Sequence, residues 1–385
     1  MNTLRDATIP GDRPTVNGTL GANLSKSHLP SLDGLRAIAA FLVVFYHAGL
    51  EWVPGGLGVL IFFVLSGFLI TWLLLKEEEQ SGAISLKLFY LRRSLRIFPA
   101  FYAYWLLLSA ASLLLHKRYD VAQAISSLLY VNNYYQALHG DPNTGFSHTW
   151  SLGIEEQFYL LWPLIFLLLR EACQRLRFLI AAVVLLALYR EALIFLFHRD
   201  QGYIYEAFDT RADHLLMGCL LAIALRAGVW TGLWRRLCSS PWLVAVPLGL
   251  LVISTALALR FGSTYRDAVG FVIDPMLVAV LIVQTIAHPS AGFGVALNWD
   301  WMRYLGTISY SVYLYQQVVV EPARKLTARW PAISMLATIL AVIAVASASY
   351  WIVERPFLRL KKRFEAGHAA ITSPTQHASA AFPDK

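Results

Sequence analysis

Cysteine is nearly absent from this 385-residue chain. The three present, Cys173, Cys219 and Cys238, include no CxxC pair and no histidine at ligand spacing, so neither a disulfide framework nor a metal centre is expected. Charge is also scarce, at 15% of residues against roughly 25% in a soluble domain. No polar stretch is long enough to enclose a core of its own, no repeat of 20 to 50 residues recurs, and no apolar leader region precedes residue 28. The first apolar helix is therefore expected to act as the membrane signal. Chemistry, if there is any, has to sit within or beside a membrane bundle.

Apolar residues fill the space that charge leaves. They make up 57% of the chain, and mean hydropathy is +0.54. Runs of the length that crosses a bilayer recur at about 34–50, 57–75, 97–115, 150–169, 178–197, 213–228, 241–260, 268–287, 302–320 and 332–353. The expected fold is all-α, a polytopic bundle of about ten spans over residues 29–364, with disordered cytoplasmic tails at 1–28 and 365–385. An even span count puts both termini on one side. The basic clusters at 91–96, 175–177, 234–236 and 359–363 then fall together, which makes that side cytoplasmic by the positive-inside rule. The net charge of +8 is used up in these clusters, which argues against nucleic acid as a partner.

Several ionisable residues stand where a membrane makes them costly. Arg36 and His47 share the helix "LDGLRAIAAFLVVFYHAGL", separated by about 16 Å of rise and about 20° of rotation, close to one face. Taken singly, the arginine reads as a snorkelling topology residue and the histidine as a satisfied interfacial one. In "FYLRRSLRIFPAFY", Arg92, Arg93 and Arg96 are spaced to converge on one polyanion, although a plain positive-inside cluster has the same look. "HTWSLGIEEQFYLLWP" puts His148, Trp150, Glu155 and Tyr159 at the mouth of the fourth span; Glu155 can share a face with His148 and Tyr159, while Glu156 is expected to point elsewhere. "FDTRADHLLMG" holds Asp213, equally readable as part of a capping or ion-pair group. Ser66 lacks a strand-turn-helix context and is discounted as a nucleophile.

Taken together, "LDGLRAIAAFLVVFYHA", "GVLIFFVLSGFLIT", "FYLRRSLRIFPAFY", "HTWSLGIEEQFYLLWP", "TRADHLLMG", "ISYSVYLYQQ" and "ERP" resemble the acyltransferase-3 family of membrane O-acyltransferases, over Leu32 to Pro356. The resemblance implies an enzyme of the bacterial cytoplasmic (inner) membrane that moves an acyl group, acetyl foremost, from cytoplasmic acyl-CoA to a hydroxyl of a cell-surface or lipid-linked glycan. No permanently bound cofactor is implied. By the same resemblance His47 is the catalytic base, Glu155 its orienting carboxylate or a sugar ligand, and Arg36, Arg93 and Arg96, with Arg92 beside them, the donor anchor. His148, Trp150, Tyr159 and Asp213 are expected to bind substrate. A small glycoside such as a macrolide is the alternative acceptor, and a proton-coupled transporter is the rival class. Two positions depart from the family pattern: Leu60 stands where many members have Asp, and "YQQV", Tyr315 to Val318, stands where many end the stretch with His-x-Pro. These departures bear on acceptor choice more than on the reaction. The chain also shows no appended soluble domain, which favours direct transfer.

Overall fold

The structure is a computed structural model that describes residues 18–26, 28–326 and 331–360. Every element among the described residues is helical, and no strand is present among them. Ten helices among the described residues have 17 residues or more: α1 Pro30–His47, α2 Gly55–Ser81, α3 Leu86–Leu114, α4 Thr149–Leu168, α5 Ala172–Phe195, α6 Phe208–Arg226, α7 Ala245–Tyr265, α8 Phe271–Ala287, α9 Ser309–Leu326 and α10 Pro331–Ser349. Each of the ten apolar runs overlaps one of them, although the run at 302–320 begins in a separate short helix, Asp300–Thr307.

Helix formation and membrane crossing are separate matters. Among the described residues six helical stretches are long and apolar enough to cross a membrane, or seven if the bent pair Gln201–Arg226 and Thr231–Leu237 forms one span. The helix α1 is not among them. Its 18 residues include Asp33, Arg36 and His47, and these polar groups dilute its hydropathy. Residues Pro241–Ala287 form one helical run of 47 residues, which straight would be about 70 Å long, over twice a bilayer core. Gly262, with φ 74° and ψ −160°, breaks that run.

Local signals set the helix ends. Pro30 opens α1, where its missing N–H costs nothing. Gly82, at φ 71°, closes α2 in the left-handed region. The Ser85 hydroxyl then caps α3 by accepting from the Leu88 N–H at 3.4 Å. Most of the two expected tails lies outside the described residues. Within the first of them Gly18–Leu24 is a helix, because Leu20 and Leu24 find places in the core.

At the centre α2 packs on α6 through two reciprocal glycines. A Cβ on Gly67 would overlap the Leu215 carbonyl oxygen, and one on Gly218 would overlap that of Val64. Only bare glycine lets the two backbones meet this closely. This contact, with α1 against α2 and α9, fixes the frame around two cavities.

Candidate active site

The first cavity, about 70 Å³ in volume, lies where α1, α2, α3, α4 and α9 converge. Arg36 enters from α1, Arg93 and Arg96 from α3, and Glu155, Glu156 and Tyr159 from α4. The Ser66 hydroxyl of α2 donates to Glu155 Oε1 at 2.5 Å. The Arg93 guanidinium lies 4.9 Å from the centre of the Tyr159 ring. Arg36 Nε is buried without a hydrogen-bond partner. Three guanidiniums and two carboxylates line this cavity, and the carboxylates of Asp33 and Glu354 stand near Arg36 and Arg96 on its far side.

Two sequence expectations change at this cavity. Arg92 does not converge with Arg93 and Arg96; its guanidinium pairs with Glu77 near the end of α2. One residue along the helix turns a side chain by about 100°, so Arg92 and Arg93 cannot both face one small cavity. Glu156, expected to point elsewhere, lines the cavity beside Glu155.

The second cavity is larger, about 760 Å³, and holds His47, His148, Trp150, Tyr205, Glu206 and Arg266 among its lining residues. His47 Nδ1 lies 2.9 Å from the Val43 carbonyl, one turn back on α1. A carbonyl only accepts, so Nδ1 carries the proton and Nε2 keeps a lone pair. The Gln316 side chain stands beside the same imidazole. His148 Nδ1 is 3.1 Å from Gln317 Oε1, and its ring packs edge-on between Tyr104 and Tyr313, at 5.6 and 5.5 Å. Trp150 and Tyr205, with ring centres 5.2 Å apart, give this cavity an aromatic wall suited to a sugar face.

Glu155 and His47 therefore belong to different cavities. The expected contact in which Glu155 orients His47 is replaced by the Val43 carbonyl on one side and Ser66 on the other. Tyr159 stands with the arginines. Asp213 lines neither of the two cavities: its Oδ2 accepts from Arg190 at 2.7 Å, with both side chains buried. Beside it Arg211, fully buried, is ringed by Phe63, Trp150, Tyr205 and Phe271 at 4.0 to 5.7 Å. This arginine and aromatic layer backs the wall of the histidine cavity.

Sequence reasoning missed Tyr205 and Tyr313, and weighed Ser66 only as a nucleophile, whereas its hydroxyl donates to Glu155. Tyr205 carries no signature of its own. Gln317 lies in the departure from the family pattern, and its side chain meets His148.

A family model described as an acyltransferase domain matches residues 29–354. The chain is 31% identical over 355 residues to the peptidoglycan O-acetyltransferase OatA of Listeria monocytogenes, covering 86% of this chain and 56% of OatA. It is 32% identical over 364 residues to YrhL of Bacillus subtilis, provisionally given the same name, covering 86% and 55% of the two chains. A provisionally named O-acetyltransferase of Staphylococcus aureus is 32% identical over 373 residues, covering 89% and 59%. The chain thus spans a little over half the length of these relatives. No solved structure matches it. The matched residues include the whole lining of both cavities, and the chain belongs to the acyltransferase-3 family of membrane acyltransferases.

Proposed function

We propose that the protein is a membrane O-acetyltransferase that takes an acetyl group from acetyl-CoA on the cytoplasmic side and places it on a hydroxyl of a peptidoglycan-type glycan. The observation that carries this reading is the convergence of Arg36, Arg93 and Arg96 on one small cavity whose wall is shared with the cavity holding His47. Guanidiniums suit the phosphates of a coenzyme A thioester, since each offers a planar fork of donors. The relatives named for peptidoglycan O-acetylation support the acceptor class, and the Trp150 and Tyr205 rings supply a stacking surface for it.

In the reaction the acceptor hydroxyl oxygen attacks the thioester carbonyl. His47 Nε2 takes the hydroxyl proton as the new carbon–oxygen bond forms and the carbon–sulfur bond breaks, and the proton then passes to the departing thiolate. The Val43 carbonyl holds His47 in the tautomer this step needs. Glu155 belongs to the donor cavity, where it partly balances the three arginines. A bacterial cytoplasmic membrane would place donor and acceptor on opposite sides of the bundle. No residue is needed as a resident cofactor ligand.

The test is transfer of label. Purified protein incubated with acetyl-labelled acetyl-CoA and a β-1,4-linked N-acetylglucosamine–N-acetylmuramic acid disaccharide should yield acetylated disaccharide and free CoA. Label that stays on CoA with the folded protein present would refute the proposal.

A further inference from the structure

The donor arginines and the base lie in different cavities, so a thioester anchored at one must reach the other. Two residues line both cavities, Val59 on α2 and Tyr313 on α9. Each is 6% exposed.

Neither side of this neck yields easily. Val59 follows Gly58, and a Cβ on Gly58 would overlap the Ala39 carbonyl oxygen of α1. The α2 backbone is therefore pressed against α1 at this point, and Val59 cannot back away. Opposite, the Tyr313 hydroxyl is bonded to Ser151 Oγ and donates to the His148 carbonyl at 3.1 Å. Its ring meets Phe62 edge-on at 6.0 Å. A ring held at its hydroxyl end and along one edge is a wall of fixed position.

The volumes give the neck its consequence. The arginine cavity, about 70 Å³, suits a slim chain, whereas the histidine cavity, about 760 Å³, can take sugar rings. An acyl group passing between them has to lie against the Val59 methyls and the Tyr313 ring. We infer that the Val59–Tyr313 neck sets the length of the acyl group that is transferred, admitting a two-carbon acyl group in preference to four carbons or more. This rests on the proposed acyl-CoA donor and adds a residue that selects among donors.

The experiment compares kcat/KM for butyryl-CoA and acetyl-CoA in the wild-type, Val59→Ala and Val59→Ile proteins, purified as the full chain, with the same disaccharide as acceptor and free thiol as the readout. Apolar discrimination by a methylene or two is worth about 10- to 200-fold. The butyryl-to-acetyl ratio should accordingly rise about tenfold in Val59→Ala and fall in Val59→Ile. Because only the ratio is read, partial loss of folded protein cancels, and the second variant decides the matter if the first does not fold. A ratio within about twofold of wild type in every folded variant would overturn the neck. Absence of turnover by the wild-type protein with either donor would overturn the donor reading itself, and the neck with it.

Discussion

Arg36 and His47 stand on one helix, yet Arg36 opens into the small arginine cavity and His47 into the large aromatic one. Their separation along α1, about 16 Å of rise, spans the wall formed by Val59 and Tyr313. A single rigid helix therefore fixes the distance between the arginine cavity and the His47 imidazole.

The two neighbouring arginines of α3 should behave differently. Arg93→Lys keeps a charge but loses the planar fork and its packing on Tyr159, so KM for acetyl-CoA should rise about tenfold with kcat changed far less. Arg92→Lys should leave that KM within about twofold, because Arg92 engages Glu77 away from the cavity. Steady-state kinetics on the two variants checks the contrast, and equal effects would refute it.

Ser66→Ala removes the hydroxyl that donates to Glu155. A buried carboxylate that loses its donor costs about 1 to 3 kcal/mol. The apparent melting temperature in detergent should fall, and the double change Ser66→Ala with Glu155→Gln should restore part of the loss. A double variant no more stable than Ser66→Ala would show that Ser66 acts elsewhere.

The Arg190 and Asp213 pair is predicted to be structural. Asp213→Ala strands a fully buried arginine and should destabilise by about 3 to 5 kcal/mol, while adding Arg190→Met should recover much of this. Thermal unfolding of the two variants is the measurement. For any Asp213→Ala protein that remains folded, KM for donor and acceptor should stay near wild type.

Glycine at the α2 and α6 crossing is predicted to be obligatory. Gly218→Ala would push a methyl into the Val64 backbone and should sharply lower the yield of monodisperse protein. Gly249→Ala, where nothing lies within 4 Å of the added methyl, should express like wild type. Size-exclusion chromatography of the two variants distinguishes these outcomes.

Much of this was legible before the structure. Apolar runs placed ten helices, because periodic burial and the small set of cap residues act locally. The family resemblance grouped Arg36, Arg93 and Arg96, and these line one cavity, where Glu155 and Tyr159, expected with the base and the acceptor, join them. What spacing could not give was which elements face one another. Arg92 and Glu156 were misplaced because their orientation depends on where α2 lies against α3 and α4. The separation of His47 from Glu155 depends on Val59 and Tyr313, residues whose role exists only in the packed bundle. Asp213 found its partner in Arg190, 23 positions away in sequence, a pairing that no motif announces.

The central claim is that the arginine cavity holds the donor while His47 performs the proton transfer. It is tested most directly by measuring acetyl-CoA binding and acetyl transfer on the same preparation of His47→Ala. The dissociation constant for acetyl-CoA should stay within about threefold of wild type while the transfer rate falls by about 10² to 10⁴. Folded His47→Ala that transfers acetyl at the wild-type rate would contradict it.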